Sequence, residues 1–269
     1  MSEYFHAFEI VDGAYDGGIV LLCDHARNAL PEHYGTLGLP ASEFERHIAY
    51  DIGAADLTLA LAERLGVPAV LSGFSRLLID PNRGTDDPTV IMRLSDGTVV
   101  PGNHPIDEEE IQRRIELYHA PYRMAIARVI SRATNSGIAP MIFSIHSFTP
   151  AWKGRPRKWH AGFLWDKDPR LTRFMLDRLC ADPSLVVGDN EPYDGALKND
   201  TMYTHATQHG LPHTLVEVRN DLIADDEGVR RWADRLAPLL EEANTRADMH
   251  EIKFYGSRAD APADTGESL

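Results

Sequence analysis

The chain has 269 residues, 43% hydrophobic and 25% charged, the composition of a globular protein with one sizeable core and not of a disordered or fibrous chain. Its 41 acidic and 27 basic side chains give a formal net charge of -14, which argues against non-specific binding to nucleic acid or anionic membrane. Cys23 and Cys180 are too few and too far apart for a disulfide framework or a thiolate zinc site, and the N-terminal MSEYFHAFEIVDG lacks a secretory or membrane-spanning run, so a cytoplasmic protein is expected.

The apolar run GIVLLC, Gly18 to Cys23, stops abruptly at Asp24-His25 and reads as a buried parallel strand delivering polar groups at its carboxyl end. Apolar residues recur at helical spacing from Ser42 to Leu65, which predicts a helix capped by Ser42 and stopped at Gly66-Val67-Pro68. A short strand follows from Pro68 to Leu71, and SRLLIDPNRG then leads into a long loop reaching about Pro105. Asp107 to Ala133 is helical in pattern, with Asp107 as cap and Pro121 as a kink or break. MIFSIHSF, Met141 to Phe148, repeats the design of the first strand, and further strands are expected at Ala161 to Trp165, Ser184 to Val187 and Thr214 to Val218. Helical segments at Asp168 to Cys180, Thr201 to His209 and Asp226 to Thr245 alternate with them. The alternation predicts a single three-layer α/β domain over residues 1–256, with a mixed, mostly parallel sheet, helices on both faces and a mobile tail at 257–269.

Three strands each carry a histidine or carboxylate at or near a carboxyl end, where open α/β sheets place their sites: His25, His146 and Glu217. A hydrolytic metal site needs three protein ligands and an open position for water, and two imidazoles with a carboxylate suit zinc. His25 and His146 supply the imidazoles. Asp51 is the leading third ligand, with His47 one helical turn away to orient it, and Asp24 and Asn28 are lesser candidates. Glu217 suits the base that takes a proton from water and returns it to the leaving amine, or else it pairs with Arg219 on the same strand face. In LLIDPNR, Arg83 with Asn82 could grip a substrate carboxylate in a bidentate fork, or simply brace the loop. Arg76 could polarise the scissile carbonyl or hold a second carboxylate.

Taken together, CDHARNALP, HIAYDIGA, SRLLIDPNR, HSFTP, GDNEPYDG and VEVRNDL, in that order, resemble the N-formylglutamate amidohydrolases, over about Val20 to Asp226. The better-known branch has a Pro-His-Ser-Gly turn where this chain has Cys23-Asp24-His25-Ala26, so the resemblance is to a divergent branch. It implies a fold similar in plan to zinc carboxypeptidases and aspartoacylases and one zinc ion. His25 and His146 match the histidine ligands, Asn82 and Arg83 the Asn-Arg pair that holds substrate carboxylate, and Glu217 the base. Where those relatives take a glutamate ligand shortly after the first histidine, Asn28 stands here, and Asp51 is the expected substitute. Asn190, Tyr193 and His205 match positions that line the substrate pocket, with His205 a donor to the acyl oxygen and Arg219 a further substrate contact. The implied partner is a small N-acyl amino acid, N-formyl and acidic by the resemblance. A carboxypeptidase-like peptidase and a non-catalytic binding protein of the same fold are the competing readings.

Overall fold

Seven strands form one mixed sheet, and their chain order sets where a site can open. The computed structural model describes residues 5–260. The strands of the sheet are β1 (Phe8–Val11), β2 (Ile19–Cys23), β3 (Ala69–Ser72), β6 (Met141–Phe148), β9 (Ala161–Leu164), β10 (Val187–Asp189) and β11 (His213–Arg219), and two hairpins, β4 (Leu94–Ser95) with β5 (Thr98–Val99) and β7 (Ala151–Trp152) with β8 (Arg155–Pro156), stand apart from it. The order across the sheet is β1-β3-β2-β6-β11-β9-β10. Four neighbouring pairs are parallel and two, β1 with β3 and β11 with β9, are antiparallel. Between β2 and β6 the order reverses direction, which leaves a crevice at the carboxyl ends of those strands.

Helices cover both faces, as alternating side chains require. Ile19, Leu21 and Cys23 of β2 pack with α1 (Ala54–Leu65), α4 (Arg170–Leu179) and α6 (Asp226–Asn244) on one face. Val20 and Leu22 point the other way, towards α3 (Ala120–Asn135) and Met202 of the short α5 (Thr201–His205). Fully buried leucines such as Leu21, Leu57 and Leu236 stabilise this core by about 1.5–3 kcal/mol each.

Several expected boundaries move. The helix predicted from Ser42 begins only at Ala54: Ala41–Glu45 is a 3-10 turn without a side-chain cap, and the chain then winds irregularly to Gly53. Gly53 has φ 78° and a Cβ there would meet the Ile223 carbonyl oxygen at 2.1 Å, so only glycine lets the helix start against that wall. Phe44 and Ile48, which mimic helical spacing, instead pack in a separate small cluster with Leu37, Leu77 and Val100. The helix from Asp107 is capped as expected, with Glu110 N–H donating to the Asp107 side chain at 2.9 Å. α2 (Glu108–Arg114) gives way to a π turn at Ile115–His119 just before Pro121, where the missing N–H makes a regular α-helix impossible to sustain unbroken. The strand expected at Ser184 to Val187 forms at Val187–Asp189.

Part of the expected tail is fixed. Arg258 donates to Asp166 (Nε to Oδ1 3.1 Å), to Asp194 (Nη2 to Oδ1 2.6 Å) and to the Trp165 carbonyl (3.0 Å), while Tyr203 donates to Asp260 at 2.6 Å. Residues 257–260 are therefore a clasp across two loops and α5; 261–269 lie outside the described residues.

Candidate active site

β2 and β6 end beside each other, and the side chains they release meet Asp51 from the turn before α1. Ligand atoms of His25, Asp51 and His146 all lie within 4.8 Å of one another, and all three residues are buried. Asp51 Oδ2 is 3.2 Å from Nδ1 of His25 and 2.8 Å from Nδ1 of His146, and it accepts the Ser147 N–H at 3.3 Å. The far nitrogen of each ring faces its own buried carboxylate: His25 Nε2 lies 2.8 Å from Asp80, and His146 Nε2 lies 3.1 Å from Asp24. Asp80 also accepts from Arg76 (2.9 Å) and from the Asn82 N–H (3.0 Å). Asp24 accepts from Tyr122 (3.0 Å) and Thr201 (2.7 Å), so neither carboxylate is free to turn.

With Asp80 and Asp24 at the Nε2 side of each ring, the wiring suits Nε2–H donation once a cation occupies the Nδ1 side. A neutral imidazole that donates Nε2–H to a carboxylate carries a lone pair at Nδ1. Two such lone pairs and a carboxylate oxygen then face one point, an arrangement that repels itself unless a cation or protons occupy it. Burial works against charge on both rings, and Arg76 works against it on His25, but the surrounding carboxylates outweigh them and push both histidines up, His146 well above its usual range. Burial likewise opposes ionisation of Asp51, yet the two imidazoles hold its carboxyl far below the ordinary value. The donor set thus fits a divalent metal of the kind bound by His, His and carboxylate.

Glu217 pairs with His146 in the register of β11 and β6, which sets both side chains on one face of adjoining strands. Its Oε2 is buried without a hydrogen-bond partner, and burial drives the carboxyl up to about 7. Arg76 reaches over the same centre, 3.5 Å from Asp51 and 2.9 Å from Asp80, with its Nε unpartnered.

A cavity of about 350 Å³ opens from these groups and is also lined by Asn82, Arg83, Thr149, Tyr193 and Asp200. The loop bearing Arg83 is pinned from behind, where His119 Nε2 donates to the Arg83 carbonyl at 2.8 Å. Arg123 of α3 ties the next wall, donating to the carbonyls of Asn199 (3.1 Å) and Asp200 (3.2 Å). Among the described residues the Arg83 guanidinium meets only Asp87, at 3.5 Å, which leaves most of its donors available.

A family model described as N-formylglutamate amidohydrolase matches residues 17–224. The chain belongs to that family. As an N-formylglutamate amidohydrolase family member it is an amide-cleaving enzyme, and the crevice between β2 and β6 is where that chemistry fits. Its fold is similar to the crystal structure of gene product Atu2144 from Agrobacterium tumefaciens (34% identity, TM-score 0.84, covering 88% of this chain and 94% of that one). It is also similar in fold to N-formylglutamate amidohydrolase from Ralstonia eutropha JMP134 (22% identity, TM-score 0.63, covering 88% and 96%). None of the curated proteins matches it.

Against the family pattern, the structure gathers His25, Asp51, His146, Glu217, Arg76, Asn82, Arg83 and Tyr193 around one cavity. Three expected pocket residues are placed elsewhere. Asn190, at φ 51°, accepts the N–H groups of Trp165 (2.9 Å) and Gly195 (3.1 Å) and shapes the wall from behind. Arg219 is held by Asp221 at 2.7 Å, not by Glu217, so the ion pair weighed for the base does not form. His205 lies buried behind the wall with Nε2 unpartnered, pushed down to about 3 by burial and then by Arg123. His47 faces Asp96 at 3.4 Å and does not orient Asp51; that task falls to Arg76 and the Ser147 N–H. Asn28 donates to the Phe44 carbonyl at 2.8 Å, away from the centre. Sequence reasoning missed Asp80 as the partner of His25 and Asp200 as a buried cavity carboxyl, raised to about 7 by burial. Each sat in a turn-forming stretch, Asp80 before Pro81 and Asp200 as the cap of α5, where an aspartate needs no further explanation.

Proposed function

We propose that the chain hydrolyses the amide of an N-acyl amino acid, an N-formyl acidic one such as N-formyl-L-glutamate, with one zinc ion held by His25, Asp51 and His146. The observation that carries the reading is the convergence of two Nδ1 atoms and Asp51 on one point, each ring backed by its own carboxylate, beside a buried glutamate. A zinc ion there supplies an acidified water and a Lewis acid for the carbonyl. Arg83 and Asn82 hold the substrate carboxylate, and the cavity, near the lower end of the ~300–1,000 Å³ usual for ligand pockets, supports a small molecule over a peptide. Arg76 faces the developing negative charge on the carbonyl oxygen. Glu217, with a carboxyl near neutrality, takes the water's proton as the O–C bond forms and delivers it to nitrogen as the C–N bond breaks. The free thiols Cys23 and Cys180 support a cytoplasmic setting.

The test pairs metal analysis of the purified protein with formate release from a panel of N-formyl amino acids. About one zinc per chain and a preference for acidic members is the expected result. A metal-free protein with full formate release would overturn the zinc assignment, and turnover indifferent to side-chain charge would overturn the substrate.

A further inference from the structure

The stretch from Thr149 to His160 carries Lys153, Arg155, Arg157 and Lys158 and no carboxylate, in a chain whose acidic side chains outnumber the basic ones 41 to 27. It forms the β7–β8 hairpin, exposed from Ala151 to Pro156. None of its four cations has an ion-pair partner among the described residues: Lys153 and Lys158 lie over the tryptophan rings beside them, and Arg157 bonds only neutral groups. Elsewhere the arginines are mostly matched, Arg170 to Asp168, Arg178 to Glu242 and Arg258 to Asp194 among them.

Arg157 is also held in place. Its Nη1 donates to Thr149 (carbonyl 3.3 Å, Oγ1 3.1 Å) and its Nη2 to the Tyr193 hydroxyl at 2.9 Å. The guanidinium lies 5.5 Å from the Phe148 ring, 5.6 Å from Trp152 and 5.1 Å from Tyr193. Phe148, Thr149 and Tyr193 line the cavity, so a rigidly framed cation stands directly against part of that lining. An arginine framed by aromatic faces loses little entropy when it binds a planar anion. Thr149 lies three residues beyond His146, whereas Arg83 lies three residues beyond Asp80, the partner of His25. The loop carrying Arg83 follows β3 and the hairpin carrying Arg157 follows β6, with β2, which ends beside His25, between those strands in the sheet, so a substrate held by its amino-acid carboxylate at Arg83 would extend its acyl group on the β6 side.

Resting on the reading of Arg83 given above, we propose that Arg157 and the basic hairpin form a second anion-reading site, so that the enzyme also takes N-acyl amino acids whose acyl group ends in a carboxylate. Hydrolysis would follow the same balance, water adding to the acyl carbon and the proton passing to the amine, with a dicarboxylic acid released.

The probes are N-succinyl-L-glutamate and N-butyryl-L-glutamate, matched in chain length and different in one charge. Their binding to the metal-stripped full-length protein by calorimetry involves no turnover. The succinyl compound should bind roughly tenfold tighter at low salt, a gain of about 1.4 kcal/mol, and Arg157→Gln should erase the difference while Arg157→Lys restores part of it. If Arg157→Gln melts early, Lys153→Gln with Lys158→Gln, on the exposed hairpin, should still narrow the gap. Equal binding of the two compounds by the parent would overturn the proposal and leave the hairpin to a macromolecular anion. Formate release from N-formyl-L-glutamate by the zinc-loaded parent is scored separately, so failure of the formyl reading would show there and not in the binding ratio.

Discussion

Asp80 stands 2.8 Å from Nε2 of His25, on the opposite side of the ring from the Nδ1 that faces Asp51. Asp80 touches no point where a metal would sit, yet it fixes which nitrogen can bind one. Replacing Asp80 with Asn should keep the fold and lower zinc affinity by about 10–100-fold, the usual effect of losing such a partner. Chelator competition reads this directly. An Asn variant that holds zinc as tightly as the parent would show that the carboxylate does not set the ring.

The three proposed ligands should behave more severely. His25→Ala, His146→Ala and Asp51→Ala are each expected to abolish stoichiometric zinc, because a three-ligand site has no redundancy. Zinc retained by Asp51→Ala would return the third position to Asp24, which the structure turns towards His146 Nε2 instead.

Glu217→Gln separates chemistry from stability. Loss of the proposed base should lower kcat by roughly two to four orders of magnitude. Stability should move the other way in the metal-stripped protein. Folded, the carboxyl titrates at about 7 because of burial, against an ordinary 4.5, so the neutral form is the one the fold accepts. The parent is unpenalised below pH 4.5, loses stability as pH rises between the two values, and carries the full penalty above about 7. Gln has no such dependence. Its melting temperature should match the parent's at acid pH and exceed it at pH ~8; a variant that melts below the parent at both would restore a structural ion pair for Glu217.

Arg83→Lys should raise KM for an N-formyl acidic amino acid by roughly tenfold or more, since charged hydrogen bonds are each worth about 1.5–3 kcal/mol and an ammonium cannot reproduce a two-pronged grip. The control is the corresponding amide. A Lys variant that separates acid from amide as well as the parent does would remove Arg83 from substrate reading.

Arg258→Ala tests the clasp. The pair with Asp194 is partly exposed, so the loss should be about 1 kcal/mol or less, but amides of residues 193–197 should exchange faster and KM should rise. Unchanged exchange there would make the clasp ornamental.

Much of the centre was legible because strand ends announce themselves: an apolar run that stops at a histidine, as at Cys23 to His25 or Ile145-His146, has few other reasons to exist. Glu217 was legible for a different reason, as a carboxylate inside an apolar strand, on the face opposite Val216 and Val218. Asp51 was found despite a wrong local geometry, since the segment before Gly53 is irregular and not helical. Buried Ile48 kept the apolar period alive where the backbone abandoned it, and periodicity cannot distinguish a helix face from a side pocket. Partners such as Asp80 and Arg157 were illegible because their roles depend on contacts across 55 and 36 residues of sequence. Arg219 misled because two carboxylates lie two residues from it, Glu217 and Asp221, and it is Asp221 that holds it.

The clasp also bears on how the enzyme is made. Asp166 and Asp194 are synthesised long before Arg258, the cation that joins them. During translation the two loops must wait, like-charged and unjoined, until Arg258 has cleared the ribosome. The sheet can assemble earlier, since β11 ends at Arg219. A nascent chain arrested before Arg258 should therefore hold its strands while the loops at Asp166 and Asp194 exchange more freely.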